Sequence, residues 1–325
     1  MSIRLGYQIP NFSYGTPVAD LFLTVLAQAR EAEAAGFDAV FVMDHFYQLP
    51  GIGTPEQPML EAYSALSALA TATERVQLSA LVTGNTYRNP PMLAKTVTTL
   101  DVVSGGRAVL GIGAGWFELE HQQFGYEFGT FTDRFQRLDE ALQIIEPMLR
   151  GQRPTFDGKW YHVEEAMNEP RLRDDLPILI GGSGEKKTFG LAVRYCEHLN
   201  IICPTEELPR KRAALDARLS EAGRDSIETS TLVTVVIDET HDKAYGVLRD
   251  QLGARGIDLD GLPDDQRERA LARYVVGGPD EVAEQVQTRI LDAGIDGVIV
   301  NMVANGHVPG AVALAGKTLG PLLHG

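Results

Sequence analysis

Val76-Gln77-Leu78-Ser79-Ala80-Leu81-Val82-Thr83-Gly84-Asn85 runs into Tyr87-Arg88-Asn89-Pro90-Pro91. Val76, Leu78, Ala80, Leu81 and Val82 make residues 76–82 apolar almost throughout, as strands covered on both faces are. Thr83, Gly84, Asn85 and Asn89 then place small polar groups at the strand's C-terminal end. Pro90 and Pro91 open the next segment, and proline suits the first turn of a helix. In parallel α/β proteins ligands gather at strand C-terminal ends. This junction is therefore a candidate site, with an ordinary βα turn as the alternative.

The same alternation recurs on either side of this stretch. Toward the N-terminus lie a strand at 3–9, a helix at 18–35 closed by Gly36, a strand at 38–42 and a helix at 61–73. Toward the C-terminus come a helix at 91–103, a strand at 107–113 and an amphipathic helix at 133–149. A hairpin around Asp157-Gly158 interrupts the rhythm at 155–163. Strands at 177–180, 198–202, 231–237 and 297–300 follow, with helices at 185–196, 206–222, 279–293 and 308–319. Strand–helix pairs in this order predict a (β/α)8 TIM barrel with loop insertions. A doubly wound sheet is the competing topology, but no mid-chain linker divides the chain. The expectation is one barrel domain over 1–325, with insertions near 45–60, 114–132, 151–176 and 239–277.

The formal net charge is −15 over 325 residues, which disfavours nucleic acid as a partner. An anionic ligand would need a local nest of backbone N–H groups. Cys196 and Cys203 are too few and wrongly spaced for a zinc cage, so no metal is expected. No long apolar run suggests a membrane span, and the expected location is the cytoplasm.

Most candidate chemistry sits at strand ends. Asp44-His45 follows the second strand; the imidazole could move a proton, with Asp44 orienting it or binding a ligand group. Gly111-Ile112-Gly113-Ala114-Gly115-Trp116 could let a flat ring lie against backbone. Gly181-Gly182-Ser183-Gly184, before Lys186 and Lys187, offers N–H groups and a helix terminus to a phosphate. Thr83, Asn85 and Asn89 complete the set. His121 and His162 read as loop residues without partners, in solvated or structural roles.

With these residues in view, the chain resembles the luciferase-like monooxygenase superfamily, and within it the F420-dependent oxidoreductase branch. The likeness is carried by Ala34-Ala35-Gly36-Phe37-Asp38, Met43-Asp44-His45-Phe46, Thr83-Gly84 through Pro90, Leu100 through Arg107, Gly111 through Trp116 with Glu120-His121, and Ile180 through Gly184. The resemblance implies a barrel holding a deazaflavin or flavin at its C-terminal mouth. The ring would lie over a bulge on the third strand, with a non-prolyl cis bond at Ala80–Leu81. The phosphate would sit on Gly181, Gly182, Ser183 and Gly184. Asp44 and His45 would line the ring and substrate, and Asp-His rather than Glu-His favours coenzyme F420 over FMN. Leu49 and Trp116 stand where sugar-phosphate dehydrogenases of the family carry Trp and Glu, which argues against a sugar-phosphate substrate. The resemblance also implies a homodimer acting on a small molecule. The expected activity is F420-dependent hydride transfer; an FMN-dependent monooxygenase and a non-catalytic cofactor-binding barrel are the alternatives.

Overall fold

The computed structural model describes residues 2–324. Its strands in chain order are Leu5–Ile9 (β1), Ala39–Val42 (β2), Gln77–Ala80 (β3), Thr83–Gly84 (β4), Leu110–Gly113 (β5), Phe156–Asp157 (β6), His162–Val163 (β7), Ile178–Gly181 (β8), His198–Asn200 (β9), Glu228–Ile237 (β10), Tyr274–Gly277 (β11) and Gly297–Asn301 (β12). The helices are Leu21–Ala34 (α1), Ala62–Ala70 (α2), Pro90–Ser104 (α3), Glu118–Phe124 (α4), Phe131–Leu149 (α5), Thr188–Tyr195 (α6), Leu208–Ala222 (α7), His241–Gly253 (α8), Asp264–Leu271 (α9), Pro279–Val286 (α10) and Ala311–His324 (α11).

The main sheet runs β3-β2-β1-β12-β10-β9-β8-β5-β4, parallel throughout. A bridge between Leu78 and Ala108 brings β3 beside the approach to β5, so the sheet closes into a barrel. β3 and β4 are two halves of one stave. The expected continuous strand at 76–82 breaks at Leu81-Val82: β3 pairs with β2, and β4 pairs with β5. Strand-forming residues alone do not reveal such a bulge, because it depends on the neighbour opposite.

Apolar alternation explains the two core layers. Ile3, Ala39, Phe41, Leu81, Val109, Leu179 and Ile299 fill the barrel interior. Outward residues such as Leu5, Val40, Leu78 and Leu110 pack on the helices. Each fully buried Leu, Ile, Val or Phe side chain among them contributes ~1.5–3 kcal/mol. At the N-terminal end, Arg107 donates to the carbonyls of Ala70, Thr73, Val76 and Ser104 and to the Thr73 hydroxyl, pinning α2 and the root of β3 together.

The insertions carry structure of their own, helical in 239–277 as its charged, helix-rich sequence implies. The 114–132 segment contains α4, and the 239–277 segment contains α8, α9 and β11. β11 pairs in parallel with residues 234–237 of β10. The hairpin at 155–163 forms as β6 and β7. No helix among the described residues is long and apolar enough to cross a membrane.

Candidate active site

Strand ends β1, β2, β4, β5, β8 and β12 converge on a cavity of about 580 Å³. Asp44, His45, Leu81, Thr83, Gly113, Gly115, Gly181, Gly182, Ser183 and Gly184 all line it. Ala80 and Asn85 do not. Ala80 lies behind the bulge, its carbonyl facing Gly111. Asn85 is buried on the other side of the stave, its amide donating to Tyr161 Oη at 3.4 Å. Asn89 caps α3 instead of facing the cavity. Lys186 and Lys187 line a separate groove across Phe135.

His45 is held by a partner that a local reading of the sequence does not supply. Its Nδ1 lies 2.9 Å from Glu120 Oε2. Glu120, on α4, is fully buried. It also accepts from the N–H groups of Phe46 (2.5 Å) and Tyr47 (2.9 Å) and from the Tyr87 hydroxyl. Burial acts to raise the Glu120 carboxyl, but the bonds from His45, Tyr87 and Tyr47 prevail and hold it below the ordinary value. A carboxylate so held fixes Nδ1 as the donor and leaves Nε2 without a partner among the described residues. Trp116 and Phe117 pack edge-on to the imidazole.

The expectation that Asp44 orients His45 is corrected. Just past the end of β2 the two side chains find different partners. Asp44 turns to Arg88, which grips it with two nitrogens at 2.7 and 2.9 Å, and accepts from Gly84 N–H at 3.0 Å. Burial lifts its pKa, opposed by the Arg88 charge. Asp44 thus ties the end of β2 to the bulged stave.

The glycines of β5 and β8 also carry a packing role. A Cβ on Gly111 would stand 2.0 Å from Ala80 O, and one on Gly113 or Gly181 within 3 Å of the Val82 methyls. These glycines make room for the bulge, with Val82 seated between two strands. The non-prolyl cis bond is Leu81–Val82, not Ala80–Leu81.

At the far end, Gly182 has φ +142°, backbone that side chains with a Cβ rarely adopt. Its N–H donates to Asn200 O at 3.0 Å, so this amide belongs to the barrel and not to a ligand. The Ser183 and Gly184 amides have no protein acceptor among the described residues. Lys211 Nζ anchors the loop through Ser183 O at 2.9 Å and Glu185. α6 begins at Thr188 and not at 185, so residues 185–187 are a turn between loop and helix.

Glu120, Val82, Gln8 and Asn301 belong to the site although no local sequence pattern marks them. The last three line the cavity, and Gln8 donates to Leu81 O at 3.3 Å. His121 is buried on α4, with Nδ1 2.8 Å from Phe117 O and Nε2 2.6 Å from Thr86 Oγ1. It is therefore neither in a loop nor without partners. Exposed His162 lies 2.5 Å from Asp157.

The luciferase-like monooxygenase family model matches residues 3–297. An F420-dependent glucose-6-phosphate dehydrogenase of Microbacterium testaceum (strain StLB037) is 34% identical over 313 residues, covering 90% of this chain and 89% of the relative. A 5,10-methylenetetrahydromethanopterin reductase of Archaeoglobus fulgidus is 29% identical over 221 residues, covering 67% of this chain and 61% of that protein. The solved structure of an F420-dependent secondary alcohol dehydrogenase with an F420-acetone adduct superposes with TM-score 0.79 at 22% identity, covering 98% of each chain, a likeness of fold. This chain belongs to the luciferase-like monooxygenase family.

Proposed function

We propose that this protein is an F420-dependent oxidoreductase of small molecules. The observation that carries the reading is one cavity joining a glycine loop with open amides, an apolar bulge and an imidazole fixed by a buried carboxylate. The residues fit such a cofactor. Ser183 and Gly184 N–H groups suit its phosphate, and Leu81, Val82 and Gly113 present a flat apolar seat for its ring. When bound, the deazaflavin supplies the site's hydride chemistry. His45 works beside it. Glu120 holds Nδ1–H, and Nε2 exchanges a proton with the substrate oxygen. Trp116 and Phe117 shield the imidazole from water.

The F420-dependent relatives support the cofactor assignment. The test is direct titration with F420 and with FMN. F420 is expected to bind the more tightly; tight FMN binding without measurable F420 binding overturns the reading in favour of a flavin enzyme. A purely binding role would leave the buried Glu120–His45 pair without a purpose.

The same proposal takes 1–325 as one barrel domain acting in the cytoplasm as a homodimer. Exposed Met92, Val102 and Val103 on α3, beside exposed Leu172, supply an apolar face for a second copy. Sedimentation at micromolar concentration checks this, and a monomer there overturns it.

A further inference from the structure

We infer that the His45 end of the cavity takes an uncharged, predominantly apolar small molecule and does not take a sugar phosphate. The inference rests on the proposal that the cofactor occupies the end bounded by Gly181–Gly184. Leu49 and Ile52, from the loop after β2 that also carries His45, and Trp116, from the loop after β5 and edge-on to the His45 ring, line the cavity. Trp116 is 60% exposed, an unusual position for so large an apolar surface unless something covers it.

The charged groups at this end already have partners. Besides His45, the charged side chains lining the cavity are Asp44 and Arg134. Asp44 is locked to Arg88. Arg134 donates Nε to Gly115 O at 3.1 Å and Nη1 to Gly129 O at 3.0 Å, and its face lies 3.9 Å from the Phe128 ring centroid. Nε and Nη1, one nitrogen of each edge that could grip a phosphate with two bonds, are thus engaged within the protein. A phosphate dianion brought here would lose its water without gaining a bidentate grip, which is costly. A neutral molecule with one oxygen meets the opposite condition. Its carbon skeleton covers Trp116, Leu49 and Ile52, and its oxygen reaches His45 Nε2.

The test is calorimetric titration of the F420-loaded protein with cyclohexanol, cyclohexanone and glucose 6-phosphate. One of the neutral probes is expected to bind about tenfold or more tighter than glucose 6-phosphate. Trp116→Ala is expected to weaken that probe about fivefold while F420 binds as before. Glucose 6-phosphate binding as tightly as the neutral probes, or neither neutral probe binding, overturns the inference and leaves the cofactor reading intact. Unaltered probe binding in Trp116→Ala overturns the placement at Trp116. Failure of F420 itself to bind, seen in the loading titration, removes the cofactor reading and this inference together.

Discussion

His45 and Glu120 divide the work that a local reading gives to Asp44 and His45. Replacing His45 with Ala should lower turnover by about 10²-fold or more, the usual worth of a positioned acid–base group, with F420 affinity little changed. Glu120→Gln keeps the shape but leaves Nδ1 and Nε2 free to exchange tautomers, so turnover should also fall and its pH–rate profile should move. A pH–rate profile of both variants checks this, and an unshifted Glu120→Gln profile would remove Glu120 from the proton path. At the opposite end, Gly182→Val forces a β-branched side chain onto φ +142° against Thr188. The F420 Kd should rise about tenfold or more, ~1.4 kcal/mol, with the barrel still folded. Ser183→Ala should cost about 1 kcal/mol, as one hydrogen bond does. Titration curves that match the parent in folded Gly182→Val would place the phosphate elsewhere.

At the scale of elements, the broken third stave and the glycine strand are one construction. β5 approaches so closely that Gly111 touches the Ala80 carbonyl, and the Leu81-Val82 bulge fits only because Gly113 and Gly181 lack a Cβ. Gly111→Ala should therefore lower unfolding stability by ~1–3 kcal/mol, as overpacking does. It should also weaken F420 binding more than a surface Gly→Ala change such as Gly246→Ala, where a Cβ would meet nothing. Denaturant unfolding and the F420 titration read the two effects separately. A Gly111→Ala protein as stable as the parent would show that the two staves are not in the contact described. α4 matters equally, since it delivers Glu120 to His45 and His121 to Thr86.

For the whole molecule, acid exposes the buried network. Burial, the dominant influence, pushes His121 below the ordinary imidazole value. A group depressed in the folded state contributes stability above its unfolded value, and that stability is lost as pH falls through its folded value. For His121 the loss begins below about pH 6.5, the unfolded value. Glu120, also held low, adds a second loss below about pH 4.3, its unfolded value. The melting temperature should thus fall between pH 7 and pH 5, and less steeply in His121→Gln. Parallel melting profiles for the two proteins would acquit His121.

Much of this was legible in the chain. The order of strands and helices follows from periodicity and from Gly and Pro punctuation, which are local properties. For the same reason Gly181–Gly184 and Asp44-His45 stood out at strand ends, and they do share one cavity. What sequence alone could not decide depends on partners remote in the chain. Glu120 lies 75 residues from His45, and Arg88 lies 44 from Asp44. The bulge needs glycines on two other strands, so its position slipped by one residue. Gly182 N–H looked free until the adjacent strand placed Asn200 O beside it. Periodicity assigns a residue to an element and a face; which groups meet across the barrel is settled only when the sheet closes and brings distant faces into contact.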